Sequence, residues 1–150
     1  MKFDTAYFGE VVVSDDRIIH FEAGIPAFPD EKSFVLIHDE NNPDSLFLWL
    51  QSTQTPDLVF TIMDTLSVLP DYAPLVAEEE MQRIKESDDD DFFIYNIANI
   101  KDSIEDICVN LKGPIIINHK TGRGMQAISD HADHHVRYPV FEDIQNRKRT

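Results

Sequence analysis

The segment NLKGPIIIN, residues 110–118, carries the clearest strand signal in the chain. Ile115 to Ile117 form a β-branched run that favours a strand, and a Gly-Pro pair stands directly before it. Because Pro114 has no backbone N–H to donate, the strand should lie at a sheet edge or begin just past a bend. Gly113 gives the chain the freedom to make that bend. The segment therefore predicts a corner in a β-structure.

Short runs rich in Val, Ile and Phe recur along most of the chain, and Asp, Asn, Pro and Gly separate them. About ten runs qualify as strands. They are residues 3–7, 10–13, 17–21, 33–38, 47–51, 58–63, 92–98, 107–111, 114–118 and 124–129. Too few helices separate them for a parallel sheet, so we expect the strands to close on themselves. The prediction is a mainly β fold, a small antiparallel β-barrel-like single domain over residues 1–150 with one or two short helices.

The connections carry their own signals. VVVSDDRIIHF, residues 11–21, predicts a hairpin, because a Ser-Asp-Asp cluster favours a turn between two β-branched runs. VLIHDENNPDSLFLWL, residues 35–50, predicts a second hairpin with a longer loop, in which Asn-Pro-Asp excludes a helix.

Helical signals are few. Residues 74–86 have apolar side chains at helical spacing and a proline in the first turn, which predicts a helix. Residues 102–106 predict a second helical turn, in which Asp102 is the N-cap and the Glu105 side chain binds back to it as in a capping box. From Phe141 onward the chain is polar with little to bury, so we expect a frayed end with about the last eight residues disordered.

Charge is the strongest compositional signal. The 150 residues contain 13 Lys and Arg against 28 Asp and Glu, a net charge of −15. This balance disfavours nucleic acid as a direct ligand, since phosphate binding depends on basic patches. Residues 1–110 hold 6 basic and 24 acidic side chains, whereas residues 111–150 hold 7 and 4. Such an acidic body suggests a basic protein partner, although the charge could also serve solubility alone.

Location is predicted from what the hydropathy pattern lacks. No segment approaches the roughly 18 apolar residues of a membrane-spanning helix. The first residues, MKFDTAYFGE, lack the apolar core of a signal peptide. We therefore expect a cytoplasmic protein that has no membrane partner.

The segment SDHADHHVRYP, residues 129–139, is the most catalytic in appearance. If it were helical, His131 and His135 would share a face, as zinc ligands often do. The motif is incomplete, because no glutamate follows His131 and no third ligand is evident. A metal-dependent hydrolase using residues 130–135 is therefore only the alternative function. No nucleophile motif, cofactor loop or paired acid stands out, and we predict no catalytic, cofactor or metal residues.

Six motifs together resemble the FliW family of flagellar assembly factors. They are YFGEV (7–11), IIHFEAGIPAF (18–28), FLWLQS (47–52), PDLVF (56–60), VNLKGPIIIN (109–118) and GRGMQ (122–126). The resemblance implies a β-barrel-like protein that is not an enzyme. It implies two partners, the translational regulator CsrA and flagellin. In that family the protein antagonises CsrA repression of flagellin mRNA, and flagellin competes for it as a partner switch.

Within these motifs we expect exposed positions to contact the partners. The candidates are Phe8, Glu10, Ile25, Phe28, Trp49, Gln51, Asn118, Arg123 and Gln126. Core packing is the alternative for Phe8, Phe28 and Trp49, since aromatic side chains in a small barrel are mostly inside. Glu10, Gln51, Arg123 and Gln126 are harder to explain as core. Asn118 has a plain strand-end role as its alternative.

Overall fold

The computed structural model describes residues 1–147. In this part of the chain, eleven β-strands and two short α-helices follow one another. They are β1 (Lys2–Thr5), β2 (Gly9–Val12), β3 (Ile19–His20), β4 (Ser33–Ile37), β5 (Phe47–Ser52), β6 (Val59–Met63), α1 (Glu78–Met81), β7 (Phe92–Asn99), β8 (Cys108–Val109), β9 (Ile115–Asn118), β10 (Gly124–Gln126), β11 (Tyr138–Pro139) and α2 (Phe141–Arg147). The predictions of a mainly β fold and of one or two short helices are confirmed.

Nine of the strands form one sheet, whose main path runs β10-β9-β7-β6-β5-β4-β3. β7 is the longest strand, and its first half pairs with β9 while its end pairs with β8. β11 then pairs with β8, and all of these ladders are antiparallel. β1 and β2 form a separate two-stranded hairpin.

The strand path does not close into a ring, so the expected barrel is corrected to an open sheet. Its edge strands β3 and β10 meet at a single parallel bridge between His20 and Arg123. There the His20 N–H donates to the Gly122 carbonyl over 2.8 Å. β3 has two residues and β10 has three, which is too short for a continuous ladder to form between them. Within residues 1–147, no further bridge joins the two edges.

The segment 110–118 makes the predicted corner, although its strand is not at an edge. β9 lies between β7 and β10, and all four of its residues are buried. The Asn110 Oδ1 accepts the Gly113 N–H over 2.9 Å and so forms the bend. Pro114 stands just before the strand, where its missing N–H removes no ladder hydrogen bond.

Of the two expected hairpins, one is wrong. Residues 11–21 split between two structures: β2 pairs with β1, a 3-10 turn follows at Asp15–Arg17, and β3 pairs with β4. The predicted turn is present, but the two strands that flank it do not pair with each other. The hairpin over residues 35–50 is confirmed as β4 and β5.

The helix expected over residues 74–86 is shorter than predicted. Only Glu78–Met81 is α-helical, because the chain at Leu75 is held in a different contact. The Leu75 N–H donates to the Ser129 Oγ over 3.1 Å, and the Leu75 carbonyl accepts the Asp130 N–H over 2.8 Å. The helical turn expected at residues 102–106 is present as a 3-10 turn, Ile104–Asp106, without a side-chain cap.

The expected frayed end is in large part a helix. α2 spans Phe141–Arg147, and its Ile144 is buried against a core cluster that includes Val140 and Ile107. Phe141, at the start of α2, packs against the same cluster. Residues 148–150, the rest of the end that was expected to be disordered, lie outside the described residues.

The core has two sides, since apolar side chains alternate across the strands. One side of the sheet holds a cluster around Phe21, Phe34 and Leu50. The other side is covered at one end by α2 and at another by the segment of α1, where Ile84 packs on Ile116. Of the motif residues, Trp49 and Gln51 lie on β5 inside the sheet, whereas Arg123 and Gln126 lie at its β10 edge.

Candidate partner-binding surfaces

Phe8 and Trp49 form an aromatic pair where the β1–β2 hairpin meets β5. Their ring centroids are 5.4 Å apart at 52°, and both side chains are half-buried. The turn that carries Phe8 is fixed by Thr5, whose Oγ1 accepts the Phe8 N–H over 2.9 Å and donates to the Gly9 carbonyl over 2.7 Å. A paired, half-exposed Phe and Trp are typical anchors of protein interfaces. Tyr7, beside them, is 68% exposed.

Glu10 is exposed on β2, in the same hairpin. Its carboxylate lies 3.6 Å from the Lys2 ammonium, in a surface ion pair. Such pairs contribute little to stability, so Glu10 is available to a partner.

Ile25 and Phe28 belong to one tight turn in the loop between β3 and β4. They form an isolated bridge, in which the Phe28 N–H donates to the Ile25 carbonyl over 2.6 Å. Ile25 is 2% exposed and therefore a core residue, which corrects the expectation that it is exposed. Phe28 is 39% exposed and packs edge-on against Phe60, with centroids 5.8 Å apart.

Gln51 is fully buried, contrary to the expectation of an exposed polar residue. Its Nε2 donates to the backbone carbonyls of Ser52 and Pro56, over 2.9 and 3.2 Å. The Pro56 carbonyl also accepts the Ala6 N–H, from the turn that carries Phe8. Gln51 therefore positions the loop on which the Phe8 hairpin rests.

Asn118 is also fully buried, which corrects the expectation of an exposed contact. Its Nδ2 donates to the Ile84 carbonyl over 2.6 Å and to the Asp90 Oδ2 over 3.0 Å. Its Oδ1 accepts the backbone N–H groups of Lys120 and Thr121. One side chain thus ties the loop after α1 to the turn between β9 and β10.

Asp90 completes this junction as a charged acceptor. Its carboxylate accepts the backbone N–H groups of Glu86 and Ser87, together with the Ser87 hydroxyl and the Asn118 amide. The backbone hydrogen bond from Glu86 is the main cause that lowers the pKa of Asp90 from 3.8 to about 2. The folded protein therefore holds this carboxylate ionised to lower pH than the unfolded chain does.

The lowered pKa of Asp90 has a measurable consequence in acid. Its contribution to stability is complete above about pH 4 and is lost as the pH falls through about 2, since the unfolded chain takes up the proton first. We expect Asp90→Asn to unfold at lower urea concentration than the natural chain at pH 6, with the gap narrowing towards pH 2. The matched control is Asp89→Asn, an exposed neighbour, and urea midpoints over this pH range make the measurement. A gap that stays constant with pH would contradict the assignment.

Arg123 and Gln126 lie on the edge strand side of the structure. Arg123 is exposed at the bridge to His20, and Gln126 is half-buried. The Gln126 Nε2 donates to the Gly113 carbonyl over 3.1 Å, which joins β10 to the corner of the segment 110–118. Arg123 therefore presents a charged side chain to solvent, whereas the Gln126 amide is used within the fold.

The nine candidates thus fall into two groups. Those with accessible surface are Phe8, Glu10, Phe28, Trp49, Arg123 and Gln126. The buried Ile25, Gln51 and Asn118 hold loops in place. No local pattern separates the groups: the Asn118 amide binds the Ile84 carbonyl from a distant segment, whereas the Gln51 amide binds the nearby Ser52 and Pro56 carbonyls.

The segment 129–139 is not helical, so His131 and His135 do not share a helix face as supposed. The His131 and His134 rings are stacked, with centroids 4.4 Å apart. Nδ1 of each is engaged, that of His134 by the Ser129 hydroxyl over 2.6 Å and that of His131 by the Asp133 N–H over 3.1 Å. Burial, with a smaller effect of the neighbouring His131, lowers the pKa of His134. Among residues 1–147, no three His, Cys, Asp or Glu side chains are grouped to hold a metal ion.

Membrane insertion by a helix finds no support in the described part of the chain. Neither α1 nor α2 has the length and apolar character needed to cross a bilayer.

Comparison with known proteins finds flagellar assembly factors that match almost the whole chain. The family model described as "FliW protein" matches residues 2–140. The chain is 38% identical over 146 residues to the flagellar assembly factor FliW of Thermoanaerobacter pseudethanolicus, covering 97% of each protein. It is 33% identical over 150 residues to that of Lachnospira eligens, covering 99% of each.

A solved structure gives the same result. It is described as the crystal structure of the flagellar assembly factor FliW, and it superposes with a TM-score of 0.83 at 30% identity. The match covers 93% of this chain and 96% of the other. The fold, the ordered motifs and the two sequence comparisons agree, and the chain therefore belongs to the FliW family of flagellar assembly factors.

Proposed function

We propose that the protein is a non-enzymatic regulator that binds the translational regulator CsrA in the cytoplasm and antagonises its repression of flagellin mRNA. In the same proposal it binds newly made flagellin, acting as a chaperone and partner switch. Two competing affinities are enough for such a switch, because flagellin sets by mass action how much protein is free for CsrA. Membership of this family supports a role in flagellar assembly, and the family resemblance suggests CsrA and flagellin as the partners.

The net charge of −15 carries the CsrA half of the proposal. CsrA binds RNA and therefore presents basic surface, to which an acidic protein is steered over long distances. The same charge keeps RNA away from the complex, so the protein does not need to bind RNA itself. No membrane is required for this exchange.

The accessible motif residues are the proposed contacts. The half-exposed pair of Phe8 and Trp49 supplies an aromatic anchor, and Glu10 lies in the same hairpin. Phe28 extends the apolar surface on another loop, while Arg123 and Gln126 mark the β10 edge. Ile25, Gln51 and Asn118 are proposed to act by positioning these loops.

A competition experiment tests the proposal. We expect the purified protein to release the flagellin mRNA leader from CsrA in a gel-shift assay, and we expect added flagellin to restore the RNA complex. Because steering is electrostatic, the CsrA association rate should fall on the order of tenfold between low and high salt. Stopped-flow or biolayer measurements at several salt concentrations give this rate.

The control is a Tyr7→Ala, Phe8→Ala variant, which removes aromatic contact surface without changing charge. It should weaken binding through faster dissociation and leave the salt dependence of association unchanged. Failure of the protein to capture either CsrA or flagellin, together with stoichiometric zinc in untagged protein, would instead support the metal-dependent hydrolase. A CsrA affinity that does not change with salt would refute the electrostatic half.

A further inference from the structure

A groove of about 1030 Å³ lies at the edge strands β3 and β10, beside the bridge between His20 and Arg123. Both segments run in the same direction from the His20–Arg123 bridge, and no further bridge joins them within residues 1–147. Residues 21–23 and Lys32 line one wall, and Gly124 and Met125 line the other. The groove is therefore the gap left by a sheet that does not close.

The charge of this groove is opposite to that of the protein. Lys32, Arg83 and Arg123 line it with exposed side chains, and Glu22 is the one carboxylate among its lining residues. Within the described chain, none of the three cations takes part in an ion pair. The Lys32 ammonium donates to the Glu22 backbone carbonyl over 2.8 Å, a neutral partner that leaves its charge uncompensated.

A second groove, of about 650 Å³, shows that this imbalance is local. There Lys101 and Arg137 lie with Asp102 and Asp106, so that cations and carboxylates are equal in number. In a chain with 28 acidic and 13 basic side chains, three cations grouped in one groove give it a local positive potential that attracts an anionic group.

The floor of the first groove is apolar and closely packed. Phe21 is fully buried, Ile84 is 3% exposed, and Met125 is half-buried beside them. A Cβ atom on Gly124 would lie 2.8 Å from Phe21 Cε1, so glycine allows the strand to approach the ring. The groove thus combines an apolar floor with a cationic rim.

The shape favours an extended chain as the occupant. β10 is an edge strand that pairs only with β9 beyond the bridge, so one side of its backbone is open to a further strand. Successive side chains of an added strand alternate in direction, which would place apolar groups on the floor and acidic groups on the rim.

We propose that this groove docks an extended acidic segment of a partner protein, whose carboxylates pair with Lys32, Arg83 and Arg123. Arginine presents a planar fork that binds carboxylates in a bidentate manner. A nucleic acid is disfavoured, because a long polyanion also meets the remaining surface of a protein with net charge −15. A short acidic segment stays within the local field, which salt screens over about 8 Å. The segment need not belong to CsrA or flagellin.

The test uses a labelled peptide of alternating Glu and Leu as the probe, with alternating Lys and Leu as the matched control. We expect only the acidic peptide to bind, and we expect its NMR shift changes to concentrate at Arg83, Arg123 and Met125. The double variant Arg83→Ala, Arg123→Ala should weaken binding by about tenfold or more, because two charge-assisted contacts are lost.

The control variant removes the same charge from the second groove, as Lys101→Ala, Arg137→Ala. It should bind the acidic peptide within about twofold of the natural chain, since salt screens charges outside the groove. Equal weakening in both double variants would overturn the inference, as would shift changes away from the groove. A short single-stranded RNA or inorganic phosphate that binds as tightly as the peptide at the same residues would also overturn it. These readouts use no CsrA or flagellin, so their result is separate from that of the competition experiment.

Discussion

Gly24→Ala is expected to cost about 3 kcal/mol of unfolding free energy, since it combines a strained backbone with a clash. Gly24 has φ +67°, in the left-handed region that side chains with a Cβ rarely adopt. A Cβ at this position would lie 2.5 Å from the Pro29 carbonyl oxygen and 2.7 Å from that of Phe28. Both atoms belong to the backbone, so the loop itself must move. Urea or thermal unfolding measures the loss.

Gly9→Ala provides the matched control. Gly9 has the same φ of +67°, but an added Cβ would have no atom within 4 Å. It should therefore show the backbone strain alone, about 1 kcal/mol. The difference between the two variants isolates the clash, and equal losses would refute the argument from close approach.

The Gly24 loop also matters for binding. The Gly24 N–H donates to the Phe21 carbonyl over 2.9 Å, which turns the chain from the groove wall into the bridge between Ile25 and Phe28. Displacement of the loop would shift both Phe21 and Phe28. Gly24→Ala should accordingly reduce acidic-peptide binding, whereas Gly9→Ala should leave it unchanged.

The strand segments were predictable because their signal is local. β-branched and aromatic runs between turn residues located most of the sheet, and the loop of residues 35–50 formed the expected hairpin. The two-residue strand β11 is not predicted, since Tyr138–Pro139 is too short to show a pattern and contains a proline. The pairing of β2 with β1 is also not predicted, because a turn signal does not specify which neighbour a strand selects.

Contacts between distant segments account for most of the remaining errors. The residues around Leu75 favour a helix, yet its hydrogen bonds with Ser129 and Asp130 keep it outside α1. Asn118 is predicted to be exposed because it is polar, whereas the Ile84 carbonyl and the Asp90 carboxylate bind its amide inside the protein. Gln51 is buried although, within the described residues, only its Nε2 is hydrogen-bonded and its Oε1 is not. The three cations of the groove come from three separate segments, so their grouping emerges only from the folded chain.

Asn118→Ala is the second change with a large expected effect, also about 3 kcal/mol, because it leaves the buried Ile84 carbonyl without its donor and breaks three further hydrogen bonds. The Ile84 carbonyl loses its 2.6 Å hydrogen bond to the amide, and the Lys120 and Thr121 N–H groups lose their acceptor. The Asp90 carboxylate loses one of its donors as well. Hydrogen exchange should show the loss directly, as reduced protection at Lys120 and Thr121. Asn99→Ala, on an exposed strand end, is the control and should change little.

Asn118→Asp separates the donor role from simple loss of volume. It keeps the shape and the acceptor oxygens, but it replaces the amide donor and puts a second carboxylate beside that of Asp90. Burial and the like charge raise the pKa of the new group, so its ionised form is destabilising at pH 7. Protonation restores a donor for the Ile84 carbonyl, and the variant should recover part of its stability, relative to the natural chain, between pH 7 and 5. Asn118→Ala has no such group and should not recover, so parallel pH dependence of the two variants would show that the amide does not hold the junction.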